Sequence, residues 1–139
     1  MRKYTEQRHR HEKKIHEFLS KYAFFAFSPE QFAEGLSRLH ASKEDVTQFC
    51  PGGYMIRSRL PEYIKLAEDL RKERDQAAKE PEFAFDMFRY ELANHEYSYT
   101  GSAEDAIDAL GYTFDEIRED QVLNEALNRA INELMKEEN

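Results

Sequence analysis

Glu91 and His95 stand four residues apart in the segment Asp86-Met-Phe-Arg-Tyr-Glu-Leu-Ala-Asn-His-Glu-Tyr97. On a helix that spacing puts a carboxylate and an imidazole on one face. Such a pair could ligate a metal ion, or work as a base and the group that orients it. Asp86 and Tyr90 add a second carboxylate and a phenol, so Asp86, Tyr90, Glu91 and His95 form a candidate polar cluster. The segment lacks the HExxH and ExxH spacings of helical metal sites, and a metal held on a helix needs further ligands. The preferred reading is therefore structural. Glu91 orients His95 inside a packed core, with Arg89 or a tyrosine hydroxyl completing the network.

Three other constellations carry less chemistry. His9, His11 and His16 make a loose histidine tract, but Arg8, Arg10, Lys13 and Lys14 lie among them, and their charge opposes a bound cation. Cys50 precedes the turn Pro51-Gly52-Gly53, and no histidine close in sequence could activate it. The Pro-Gly-Gly run lacks the length and the Lys-Ser/Thr of a phosphate loop. No catalytic residue, cofactor site or metal site is assigned, and the chain is not expected to be an enzyme.

Charge is the strongest signal. Residues 80–120 hold 12 acidic against 2 basic residues, whereas residues 1–21 hold 7 basic against 3 acidic, and residues 22–79 are balanced. The net charge of −8 opposes nucleic acid at long range. Within the acidic stretch, Glu104, Asp105, Asp108, Asp115, Glu116, Glu119 and Asp120 are dense enough for a cation site, but their spacing does not match a calcium loop. Several fall in the first turns of expected helices, where the helix dipole favours them. The rest make a candidate acidic binding face for a Lys/Arg-rich surface of another protein, imitating a phosphate backbone.

These residues must be positioned by a chain of 139 residues, enough for one domain with a core of its own. Its 10 Phe and 8 Tyr supply much burial per residue. There is no run of about 18 apolar residues to span a membrane. The charged N-terminus and the lone Cys50 lead us to expect a cytoplasmic protein.

Periodicity places helices at 5–21, with Ile15, Phe18, Leu19 and Tyr22 on one face, and at 29–40 behind the capping box Ser28-Pro29-x-Gln31. Gly35 inside the second helix points to close approach of another element, because glycine costs about 1 kcal/mol there. Residues 23–27, Ala-Phe-Phe-Ala-Phe, read as a buried strand. A β-hairpin is expected over 45–57 around Pro51-Gly52-Gly53. A helix follows to about 78. The next, 82–95, is apolar nearly all round and so central. Tyr97 and Tyr99 alternate with Glu96 and Ser98 and read as a third or edge strand. Ser102 and Gly111 bound a short helix, Thr113-x-x-Glu116 caps another turn, and the last helix covers about 121–136.

The expected fold is α+β: one helix-dominated domain, 1–139, of about five to six helices with a small antiparallel sheet that includes the hairpin near residues 45–57. Residues 1–14 are read as a polar, fraying helical extension.

The stretches Tyr22-Ala-Phe-Phe-Ala-Phe-Ser28, Gln31-Phe32, Gly35, Gly52-Gly53, 86–97 and Ala109-Leu-Gly111 together resemble an uncharacterised family of small acidic proteins. These are carried by phages, plasmids and conjugative elements of gut and Gram-positive bacteria, and the resemblance covers roughly residues 15–132. It implies no catalytic residues. It implies a context in which small acidic proteins serve as accessory or counter-defence factors. The leading expectation is thus a non-catalytic accessory protein that binds a basic surface, such as that of a host nuclease or defence protein, with no direct contact to nucleic acid or membrane. The alternatives are a small enzyme or ligand-binding domain built on Glu91 and His95, and a self-associating regulatory module whose basic first helix meets an acidic surface in a homodimer.

Overall fold

The computed structural model describes residues 3–137. They form α1 (Lys3–Tyr22), β1 (Ala23–Phe25), α2 (Pro29–Arg38), β2 (Val46–Cys50), β3 (Gly53–Ile56), α3 (Leu60–Ala77), α4 (Pro81–Asn94), α5 (Tyr97–Thr100), α6 (Glu104–Leu110), α7 (Phe114–Glu119) and α8 (Gln121–Glu137). Short 3-10 turns precede β2 and α3. The molecule is helix-dominated with a small three-stranded antiparallel sheet, as expected. Among the described residues there are eight α-helices, not five or six. No described helix is long and apolar enough to cross a membrane.

Two compact units divide the chain: Arg10–Arg71, and Met1–His9 together with Lys72–Asn139. The first holds the sheet, in the order β1-β3-β2. Ala23 pairs with Met55 and Phe24 with Tyr54 on one side of β3, and Thr47 pairs with Met55 on the other. Pro51-Gly52 turns the hairpin, with Gly52 at φ 75° and an irregular step between Gln48 and Cys50. One sheet face carries Phe24, Ala26 and Val46, covered by Phe32, Leu36 and Leu39. Phe24 stacks on Tyr54 with ring centroids 5.5 Å apart and meets Phe32 edge-on at 5.6 Å. Gly35 fits that packing: a Cβ there would lie 2.1 Å from Phe24 Cδ2.

Ser28 caps α2 through its hydroxyl, which accepts from the Gln31 N–H at 3.2 Å. The helix closes with His40 in the left-handed region, φ 53°. Ala41 N–H donates to Leu36 O at 2.9 Å and His40 N–H to Ser37 O at 3.1 Å, the two bonds of a Schellman end. The aromatic run at 23–27 is a strand only over Ala23–Phe25, and it is not wholly buried: Phe25 and Phe27 are exposed. Successive side chains of a strand point to opposite faces of the sheet, so Phe25 lies away from the face on which α2 covers Phe24.

In the second unit the core centres on α4, which packs against α8 and α6. Phe83, Ala84, Phe85, Met87, Phe88, Glu91 and Leu92 of α4 are all buried, which agrees with its near-uniform apolarity. Glu80 caps the helix from outside, accepting from the N–H groups of Glu82 and Phe83. Residues 97 and 99 are not in a strand. They belong to α5, a single turn between Glu96 (φ 57°) and Gly101 (φ 70°). The segment taken as a polar extension is helical from Lys3, and Tyr4 and Gln7 on it are buried.

Candidate functional site

Because α4 is buried on most sides, Glu91 sits inside apolar packing, 5% exposed. An ionised carboxylate survives there only if charged and hydrogen-bonding groups meet it. Three do. The Tyr4 hydroxyl donates to Oε1 at 2.8 Å, Arg8 Nε lies 3.3 Å from the same oxygen, and His95 Nε2 lies 3.4 Å from Oε2. Tyr4 and Arg8 are four apart, so one face of α1 presents both. Arg8 also stands over the Tyr90 ring, 4.9 Å from its centroid, while Tyr4 packs on Phe83 and Tyr90, each at 5.7 Å. Burial, then the hydrogen bond to Glu91 and its negative charge, pushes the Tyr4 hydroxyl well above the ordinary tyrosine range.

Glu91 and His95 meet across one helical turn, as their four-residue spacing predicts, and Tyr90 joins them through Arg8, which bonds Glu91 and lies over the Tyr90 ring. Asp86 lies roughly 140° round α4 from Glu91 and so off that face. The phenol and guanidinium that complete the cluster come from Tyr4 and Arg8. Of the two groups expected to complete the network, Arg89 pairs with Glu137 instead, while a tyrosine hydroxyl does complete it, from Tyr4 in the segment read as a polar extension. The signal for that segment was Tyr4, an aromatic in an otherwise polar stretch. Chemically the cluster holds one carboxylate between two cationic or potentially cationic groups. His95 keeps 31% of its side chain exposed, so its imidazole is reachable from solvent. Among the described residues no group of three or more His, Cys, Asp or Glu is arranged to hold a metal ion.

The acidic residues follow α6, α7 and the start of α8. Glu104 and Asp105 occupy the first turn of α6. Thr113 and Glu116 form a reciprocal capping box on α7, with bonds of 3.0 and 3.1 Å. Asp120 Oδ1 accepts from the Leu123 N–H at 3.1 Å and so starts α8. All seven residues of the expected face are exposed. Among the described residues only Asp115 of the seven is in an ion pair, with Arg118.

Three of them converge. Glu116, Glu119 and Asp120 rim a depression of about 390 Å³ with Asp75 and Lys79, floored by Tyr112 and Leu123. Glu104, Asp105, Asp108 and Asp115 lie outside its lining. Asp75 was missed because α3 ends in charges of alternating sign, which read as a solvated face. Its carboxylate accepts from the Tyr112 hydroxyl at 3.0 Å and from Arg74 Nη2 at 3.1 Å. Arg74 also donates to Leu110 O at 2.7 Å and lies over the Tyr112 ring, 5.1 Å from its centroid. Burial pushes the Tyr112 hydroxyl upward, with Arg74 opposing it. Cys50 is half-buried beside the hairpin turn, in contact range of Gly53.

No curated protein and no solved structure matches the chain. It belongs to a family of unknown function (DUF7659), whose profile matches residues 3–133.

Proposed function

We propose that the protein is a non-catalytic binding protein that engages a basic surface on another protein through the acidic residues of α6, α7 and the start of α8. The observation that carries this reading is that seven carboxylates there are exposed while one alone has a cationic partner among the described residues. Unneutralised like charges on one chain repel each other, a cost that a complementary cationic surface relieves. Asp75, Glu116, Glu119 and Asp120, with Lys79, line a depression of about 390 Å³, and the carboxylates gathered there support docking of a lysine or arginine side chain. The resemblance to proteins of phages, plasmids and conjugative elements supports a counter-defence role in the cytoplasm. A nuclease or similar host factor, whose own surface is basic in order to hold phosphates, would be the partner.

The test is paired capture from a host lysate at low salt with the wild type and with a Glu116→Gln/Glu119→Gln/Asp120→Asn variant. The reading expects a protein with a basic surface that elutes from the wild type as salt rises and is not held by the variant. Equal retention by both would end it.

A second reading, ligand binding or acid–base work at Tyr90, Glu91 and His95, draws on the reachable imidazole of His95. It is the weaker one, because Tyr4 and Arg8 already occupy the carboxylate. Saturable binding that disappears with His95→Gln while the fold is kept would favour it.

A further inference from the structure

The three-stranded sheet of the Arg10–Arg71 unit has two free edges, β1 and β2. In an antiparallel ladder alternate residues turn their N–H and C=O to one neighbour and the intervening residues turn theirs to the other side. Ala26 N–H donates to Gly52 O at 2.8 Å, so Ala26 and Phe24 face β3. Ala23, Phe25 and Phe27 therefore present their backbone groups outward. Two of those outward groups are already taken by side chains from α2. Arg38 Nη2 donates to Ala23 O, with Nη1 on Ser20 O at 3.0 Å, and the Phe27 N–H donates to Gln31 Oε1 at 2.7 Å. Between them Phe25, 53% exposed, has no side-chain partner on its backbone among the described residues, and Phe27 is 78% exposed. A cleft of about 640 Å³ runs along this edge between α1 and α2.

The blocked groups have a meaning in the register. If a second copy laid its β1 antiparallel on this edge about a two-fold axis at Phe25, the two Phe25 residues would exchange both backbone bonds. The next rung would join Ala23 O of one copy to the Phe27 N–H of the other. Those are the two groups that Arg38 and Gln31 hold. The second edge repeats the device: Arg57 Nη2 donates to Val46 O at 2.9 Å, on the side of β2 that faces away from β3. Exposed edges with apolar side chains are templates for strand addition, and charged side chains turned onto the edge suppress it.

We infer that Arg38 and Gln31 are edge guards that keep the β1 edge from pairing with β1 of a second copy of this chain. The wild-type edge offers a two-bond rung at Phe25 only, too little to hold a strand, and removal of the guards opens the rungs on both sides of it.

Sedimentation of the wild type, an Arg38→Met/Gln31→Met double variant and the same variant carrying Phe25→Pro tests the inference. Methionine keeps the apolar stems and removes the polar heads. Proline at position 25 removes the outward N–H, along with the ring that meets Phe49 edge-on, and leaves the inner pairing with β3 intact. The double variant should gain a dimer relative to the wild type, and Phe25→Pro should return it to the wild-type mass. A folded double variant with the wild-type mass overturns the inference, as does a dimer that survives Phe25→Pro. Amide exchange of the wild type gives a readout that does not need the double variant to fold. The Phe27 amide should be protected, and Gln31→Met alone should abolish that protection. A Phe27 amide that stays protected without Gln31 also overturns it.

Discussion

The Tyr4 hydroxyl donates to the Glu91 carboxylate at 2.8 Å across 87 residues of chain. With Arg8 on the same oxygen, it ties the first turns of α1 to the central helix α4 and turns a buried charge from a liability into a fastening. Replacing Tyr4 by Phe keeps the ring against Phe83 and Tyr90 and removes only the donor. Leaving a buried carboxylate short of one hydrogen bond costs about 1–3 kcal/mol. Chemical denaturation should show a lowered midpoint of that size, and an unchanged midpoint would mean that Arg8 and His95 satisfy Glu91 alone.

The same bond gives stability a high-pH limit. The folded-state pKa of Tyr4 is raised above its ordinary value of 10.0, so the folded protein holds that proton more tightly than the unfolded chain. The contribution is fully present below pH 10 and is lost as pH rises beyond it. Tyr63 and Tyr112, also raised, chiefly by burial, act in the same direction. Denaturation at a series of pH values should show stability falling above pH 10, with a shallower fall in Tyr4→Phe. Equal slopes in the two proteins would remove Tyr4 as a source.

Gly35→Ala should destabilise although alanine is the better helix former. A Cβ at 2.1 Å from Phe24 Cδ2 must displace a ring that is stacked on Tyr54 and meets Phe32 edge-on. Overpacking of this kind costs about 1–3 kcal/mol, more than the gain in helix propensity of about 1 kcal/mol. A raised melting temperature would show that Phe24 moves aside freely.

His40→Gly should stabilise. His40 holds φ 53° at the end of α2 while its backbone makes the Schellman bonds. A non-glycine residue in that region costs roughly 1–2 kcal/mol, and the greater freedom of glycine in the unfolded chain returns part of the gain. A net rise of about 0.5–1 kcal/mol in thermal or chemical unfolding is expected. A fall would show that the imidazole makes contacts that outweigh the strain.

Local chemistry decided most of the elements. Ser28 and Pro29 start α2, Thr113 and Glu116 start α7, Pro51-Gly52 turns the hairpin and Gly111 ends α6 because each acts on groups within four residues of itself. The alternation of Tyr97 and Tyr99 misled for the converse reason. Two repeats do not specify a strand, a strand needs a partner, and the described part of that unit holds none. The residues form a turn of helix bounded by Glu96 and Gly101 in the left-handed region.

Of the candidate sites, the sequence by itself determined that Glu91 and His95 share a helix face, and it located the excess of carboxylates in residues 80–120. Tertiary structure alone decided that Tyr4 and Arg8 complete the Glu91 cluster. It also decided that Asp75 joins Glu116, Glu119 and Asp120 at one depression, and that Arg38 and Gln31 reach the outer edge of β1. Periodicity and capping are properties of neighbouring residues, which the chain carries wherever it folds. Whether residues dozens of positions apart meet depends on how helices and strands pack, and no spacing along the chain records that.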